Sequence, residues 1–230
     1  MRERPILFAG PMVRAILNGE KTVTRRLMKP QPTPSNMGGH SWPCPIHQTM
    51  LHVEQELQNG EGIWGGLADS ACPHGAPGDR LWVRETFATL SAGQYEPVKP
   101  AYGYGQEVRF AATDPLADCD VGVRGYPWRP SIHMPRWASR ILLEITAVRV
   151  ERLQDISDEQ ARAEGLRWHS LYKQWGGVES HPASRPECPQ WRWYEDPITA
   201  FRQLWESING AGSWDANPWV WVVEFKRITP

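Results

Sequence analysis

Residues 18–26 read Asn-Gly-Glu-Lys-Thr-Val-Thr-Arg-Arg, which sets Lys21, Thr22, Thr24, Arg25 and Arg26 within six positions. A lysine three residues from a threonine can serve as base and nucleophile. The condition is that burial or a neighbouring cation lowers the amine pKa from its usual value of about 10.4. Arg25 and Arg26 supply like charge nearby, which pushes the amine in that direction. The same residues also read as a solvated basic strand whose threonines reflect ordinary β-propensity. In a regular strand Lys21 and Thr24 point to opposite faces, so they can meet only if the chain turns or bulges between them. Thr22 shares the strand face of Thr24 and is the competing hydroxyl.

The elements that must position these groups are partly legible. Pro11 at a first helical position, apolar Met12, Val13, Ile16 and Leu17 on one face, and Gly19 as terminator predict a short helix just before Lys21. Residues 80–87 (Arg-Leu-Trp-Val-Arg-Glu-Thr-Phe) follow an Ala-Pro-Gly-Asp turn and predict a strand. Residues 140–151 form a long β-branched run that should cross the core. Residues 219–228 alternate Trp219, Trp221, Val223 and Phe225 against Val220, Val222, Glu224 and Lys226, a strand with one aromatic and one mixed face. Ser157 with Gln160 is a capping box for a short helix that Gly165 ends. Asp196-Pro197 opens a helix with Ile198, Phe201, Leu204, Trp205 and Ile208 inward, stopping at Gly210. Between these elements, 30–79, 88–135 and 167–195 are rich in Pro, Gly, His and Trp and read as long loops. No repeat or composition break divides 1–230, so one domain is expected, mainly β with flanking helices.

At 230 residues with a net charge of −1, the chain has no overall cationic field of the kind that marks duplex-binding proteins. Nucleic-acid contact would need a local patch, for which Lys21, Arg25, Arg26 and Lys29 are the candidates. No apolar run has membrane-spanning length, and the N-terminus lacks the apolar core of a signal peptide, so a cytoplasmic protein without membrane contact is expected. The 13 tryptophans serve mainly as core and loop anchors, while one or two could form a stacking wall for a nucleobase. Cys44, Cys72, Cys119 and Cys188 are expected as thiols. Cys44, His47, Cys72 and His74 carry the ligand inventory of a structural zinc site. The single residue between Cys72 and His74 departs from the usual spacing, and unpaired loop thiols with exposed histidines are the default.

The order Gly19-x-Lys21-Thr22-x-Thr24-x-Arg26, Gly78-Asp79-Arg80-Leu81-Trp82-Val83, Ile156-Ser157, Ala163-Glu164-Gly165 and Trp221-Val222-Val223-Glu224-Phe225 resembles an ASCH domain. That family is a small β-barrel within the PUA-like superfamily. Residues 132–137 (Ile-His-Met-Pro-Arg-Trp) further resemble its phage and prophage branch. The resemblance covers about half the chain and implies a PUA-like β-barrel with the three long loops inserted over its mouth. Small bacterial members are amidohydrolases that cleave N4-acetylcytidine with a lysine, a threonine and a glutamate. Carried over, these fall on Lys21, Thr24 and Glu164, and a family arginine falls on Arg26. What the resemblance implies is hydrolysis of an N4-acylated cytosine nucleoside by a monomer that requires no cofactor. Acyl groups bulkier than acetyl fit the expanded loops. In one scheme Thr24 attacks, Lys21 takes its proton, Glu164 protonates the leaving amine or orients Lys21, and Arg26 stabilises the oxyanion. In another, Lys21 and Glu164 direct a water and Thr24 only hydrogen-bonds. Other family members are ribonucleases or RNA binders, so RNA is the alternative partner. A glutamate at a helix C-terminus otherwise reads as a solvated surface residue.

Overall fold

In the computed structural model, residues 1–58, 66–93, 96–101, 105–179 and 191–228 are described. The chain runs β1 (Glu3–Leu7), α1 (Gly10–Leu17), β2 (Val23–Leu27), β3 (Thr33–Pro34), β4 (His40–Cys44), β5 (Thr49–His52) and α2 (Ala68–Ala71). It continues through β6 (Arg80–Arg84), β7 (Phe87–Ser91), β8 (Gln106–Phe110), α3 (Val121–Arg124), β9 (Leu142–Arg152) and α4 (Asp158–Ala163). β10 (Arg167–His169), β11 (Gln174–Glu179), β12 (Trp191–Tyr194), α5 (Pro197–Asn209) and β13 (Trp219–Ile228) complete it. The result is a mixed α+β architecture. Among the described residues no helix is long and apolar enough to cross a membrane.

Its centre is a five-stranded sheet in the order β1-β6-β9-β13-β2. β1 runs parallel to β6, and the remaining pairings are antiparallel. β13 lies between β9 and β2, and both of its faces are buried. Trp219, Trp221, Val223 and Phe225 enter one core with Ile6, Leu81, Leu143 and Ile145. Val220 and Val222 enter a second core with Leu153, Ile156, Phe201 and Trp205. The expected mixed face is therefore a buried valine face up to Val222. It turns polar only at Glu224 and Lys226, because α5 covers the first half of the strand and not the second. Each large apolar side chain sealed in this way contributes about 1.5–3 kcal/mol, and β13 contributes such side chains to both cores.

The sheet is open at its edges: β1 and β2 share no backbone ladder among the described residues. A side chain spans the gap instead, as Arg26 Nη2 donates to the Leu7 carbonyl at 2.7 Å.

The three stretches expected as loops contain structure of their own. β3, β4 and β5 form a small sheet within 30–79, β7 and β8 a hairpin that begins just before 88, and β10, β11 and β12 a third sheet within 167–195. Their strands are two to six residues long and interrupted by proline, glycine or a bulge, too short to display a period of two. The β3–β5 sheet packs on the main core, the β10–β12 sheet on α5, and the β7–β8 hairpin in small clusters of its own. Trp42 meets Trp221 edge-to-face at 5.4 Å and donates its indole N–H to the Pro30 carbonyl.

The helix signals agree with the structure. α1 begins with Gly10 and Pro11, buries Val13, Ala15 and Ile16, and is followed by Gly19 at φ +77°. The Ser157–Gln160 capping box is formed in both directions, and Asp196 caps α5 through Thr199 N at 2.7 Å. Ile208 differs from expectation: it is exposed, one turn beyond the face that Phe201 and Trp205 bury.

Gly165 is the tightest joint. It sits at φ +91°, and a Cβ there would come within 2.9 Å of both the Ala15 and Lys21 Cβ atoms. Left-handed geometry and close approach both demand glycine. Gly165→Ala should lower the unfolding free energy by about 2 kcal/mol or more. Urea denaturation checks this, and an unchanged midpoint would mean that the α4 terminus is not fixed against Lys21.

Candidate functional site

The chain leaves α1, turns at Gly19 and brings Lys21 beside the end of α4. Lys21 N donates to the Ala15 carbonyl, Thr22 N donates to Ala163, and Lys21 pairs with Glu164 as an isolated antiparallel bridge. Lys21 therefore precedes the regular strand, which starts at Val23. The break in alternation lies at this point, and it directs Lys21 Nζ to Glu164 and the Val23 carbonyl, not to Thr24.

The Lys21 side chain is fully buried and Glu164 is 3% exposed. Lys21 Nζ donates to three acceptors: the Val23 carbonyl at 2.8 Å, the Glu164 carbonyl at 2.8 Å and Glu164 Oε2 at 2.7 Å. Three donors with three acceptors is full satisfaction of an ammonium. Burial pushes the Lys21 amine below its usual value, the Glu164 charge and hydrogen bond oppose that shift, and Arg26 and Arg25 reinforce it. The Phe8 ring lies 5.6 Å from Lys21 Nζ and 5.1 Å from the Arg26 guanidinium, closing the site from the β1 side.

The other Glu164 oxygen receives Arg25 Nη1 at 3.3 Å. Arg25, with no exposed side-chain surface, also donates from Nη2 to Glu151 at 3.2 Å and to Gln160 Oε1 at 2.8 Å. Gln160 Oε1 thus serves two purposes, because it also accepts the Ser157 N–H of the capping box at 3.1 Å. The cap that starts α4 and the clamp on the carboxylate at its end share one amide.

Glu164 also borders a cavity of about 360 Å³ between the edges of β1 and β2, whose lining includes Leu7, Phe8, Thr24, Arg25, Arg26, Phe201 and Trp205. Thr86 and Asn209 add polar groups, and Ile208 lies on the same wall. Thr24 is buried, and its hydroxyl has no hydrogen-bond partner among the described residues. Three donors from the lining residues are likewise buried without partners, Arg25 Nε, Arg26 Nε and Trp205 Nε1. Of the three stretches expected as loops, the second reaches this cavity through Ser131. Among the described residues neither 30–79 nor 167–195 contributes to the lining, so the expectation of three loops over the mouth holds for one.

Lys21 and Glu164 are thus in direct contact, while Thr24 and Arg26 share the cavity wall with Glu164. Lys21 makes no hydrogen bond to Thr24 and lies behind the lining. Thr22 is exposed and borders a different hollow with Glu159 and Glu224, which removes it as the competing hydroxyl. The expected basic surface patch is not presented: Lys21 and Arg25 are buried, Arg26 is largely covered, and Lys29 alone is exposed. Glu164 is no solvated helix-end residue either. Two cations hold it inside the protein, and they offset the unfavourable dipole at the helix terminus.

Arg25 and Gln160 are the members that the sequence concealed. Arg25 reads as one charge in a basic run, and Gln160 as a cap. Only the fold shows that the strand and the helix start face each other.

The four candidate zinc ligands form no cluster. Among the described residues no group of three or more His, Cys, Asp or Glu side chains could hold a metal ion. Cys44 and Cys72 are buried thiols in the main core, and burial pushes the Cys72 thiol up to about 11, away from thiolate. His47 Nε2 pairs with Ser70 Oγ at 3.0 Å, and burial holds His74 down at about 4. Cys188 lies outside the described residues.

In comparisons with protein-family models, curated proteins and solved structures, nothing matches. The chemistry of the site is therefore read from its geometry.

Glu164→Gln should leave Lys21 and Arg25 as underpaired buried cations, destabilising the fold by about 3–5 kcal/mol. Loss of the carboxylate lowers the Lys21 amine further below its unfolded value of 10.5. Between those two values the unfolded chain binds the extra proton, so the variant's stability should rise with pH across that window. Chemical denaturation at several pH values measures it, and a flat profile would contradict a buried, desolvated Lys21.

Proposed function

We propose that the protein hydrolyses the exocyclic amide of an N4-acylated cytosine nucleoside. The observation that carries this reading is the buried 2.7 Å contact between Lys21 Nζ and Glu164 Oε2 at the back of a cavity lined by Thr24 and Arg26. A proton moved along that hydrogen bond yields an amine and a carboxylic acid. This is a base and an acid from one pair, and desolvation of Lys21 favours the neutral form.

In the proposed reaction the Thr24 hydroxyl attacks the acyl carbon and its proton passes to the Lys21–Glu164 pair. The carbonyl oxygen becomes an oxyanion beside Arg26, whose Nε is a donor without a partner. Collapse of the tetrahedral intermediate breaks the C–N bond, and the pair returns a proton to the leaving N4 amine. Water then releases the acyl group from Thr24 by the same route in reverse. The volume of about 360 Å³ suits a nucleoside. Phe8, Phe201 and Trp205 offer ring surface, and Trp205 Nε1 offers a second donor to the ligand's oxygen and nitrogen acceptors.

One observation favours a variant of this scheme. Lys21 Nζ is occupied by three acceptors and does not touch Thr24, which suits a water directed by Lys21 and Glu164. The finer architectural reading belongs to the same proposal: a PUA-like barrel of the ASCH kind, opened between β1 and β2. The support for it is a five-stranded ladder whose two edge strands flank the cavity and are joined by Arg26.

The test is incubation with N4-acetylcytidine and with an RNA oligomer in parallel, following amide loss and strand cleavage. Amide loss without strand cleavage is expected, and cleavage of the oligomer alone would replace this reading with a ribonuclease. Lys21→Ala and Thr24→Ala should each reduce turnover by orders of magnitude, and Arg26→Ala should cost about 2.7–4 kcal/mol of transition-state stabilisation. Thr22→Ala should be mild. Full activity in Thr24→Ala would select the activated-water scheme over the covalent one.

A further inference from the structure

The sheet formed by β10, β11 and β12 carries an aromatic row that the candidate cavity does not use. Arg167 lies opposite Gly176, Gly176 opposite Trp193, and His169 opposite Gln174, so Arg167, His169 and Trp193 share one face. On that face Tyr172 stacks on His169 with ring centres 4.3 Å apart and planes at 20°. His169 meets Trp193 at 4.8 Å, and Trp193 lies 6.3 Å from Trp191. Gly176 forms the floor, since a Cβ there would come within 2.9 Å of the Trp191 ring.

The opposite face carries Trp175 and Tyr194 and packs on α5, where Gly177 lies directly against the Ala200 backbone. The aromatic row is therefore on the side turned away from the core. None of its four rings belongs to an apolar core cluster among the described residues, and Tyr172 is 60% exposed.

Two cations accompany the row, and Glu179 holds the register position opposite Trp191. Arg167 stands over Trp191 at 5.9 Å, and Lys173 follows Tyr172 on the exposed turn. Beyond Trp191 opens a hollow of about 400 Å³ whose wall includes Arg14, Arg167 and Trp168, with Glu20 as its one acid. That hollow reaches Gly165, the residue next to Glu164. Aromatic rings in a row with cations alongside complement unstacked bases joined by phosphates. A duplex, whose base faces are stacked on one another, offers nothing to such a row.

We propose that the outward face of the β10–β12 sheet binds single-stranded nucleic acid. Bases stack along Tyr172, His169, Trp193 and Trp191, and Arg167 and Lys173 meet the phosphates. This goes beyond the hydrolytic reading and stands or falls separately, because binding is measured without turnover.

The experiment is fluorescence anisotropy of the full chain with a short labelled single-stranded RNA, its DNA counterpart, and the RNA annealed to its complement. Binding of a single strand that weakens with added salt, and exceeds binding of the duplex, is expected. Tyr172→Ala and Trp193→Ala should each weaken it roughly 5- to 100-fold, and Arg167→Glu should weaken it and flatten the salt dependence. Tyr172 and Arg167 are exposed, so these variants keep the fold, which circular dichroism verifies. Absence of binding to either strand, equal affinity for the duplex, or unchanged affinity in Tyr172→Ala would overturn the proposal.

Discussion

The structure depends on burying three charges together. Lys21, Arg25 and Glu164 are almost wholly removed from water, and an isolated ion so placed costs several kcal/mol. The cluster persists because the charges satisfy one another: Lys21 spends all three donors on acceptors, and Glu164 receives a cation at each oxygen. Such an arrangement is weak evidence for added stability, since an apolar replacement of equal volume does as well. Its consequence is positional. The entry to β2 and the exit from α4 can sit in only one relative arrangement, and that arrangement sets Thr24 and Arg26 on the cavity wall.

Other features of the chain serve this contact. Gly19 turns the backbone out of α1 and Gly165 lets α4 end against Lys21. The capping box fixes where α4 begins and lends Gln160 to Arg25. β13 supports both sides, pairing Val223 with Thr24 and Phe225 N with the Thr22 carbonyl while it divides the two cores. The opening between β1 and β2 is the complementary feature, because a ladder closed there would leave no room for a ligand beside Glu164.

How much of this was legible in the sequence depended on range. Signals confined to a few residues read well: Pro11 and Gly19 around α1, Ser157 and Gln160 at α4, Asp196 at α5, and the alternation of β13. Features set by distant partners did not. Val220 and Val222 look like a mixed face until α5 is laid over them, and Ile208 looks inward until the helix is rotated against the sheet. Lys21, Arg25 and Arg26 read as a surface patch because charge is normally solvated. Nothing local announces that Glu164, more than a hundred positions away in the chain, neutralises two of them. The Lys21–Glu164 pairing entered through family resemblance, and the short strands within the expected loops lacked the length to show a period.

The central claim is that Lys21 and Glu164 act on the amide as one coupled acid–base pair. A double-mutant cycle tests it most directly, with kcat/KM for N4-acetylcytidine measured in the parent, Lys21→Met, Glu164→Gln and the double variant, each first confirmed to be folded. Coupled action predicts that either single change removes nearly all activity and that the double variant is hardly worse than either. Additive losses, or substantial activity surviving in either single variant, would contradict it.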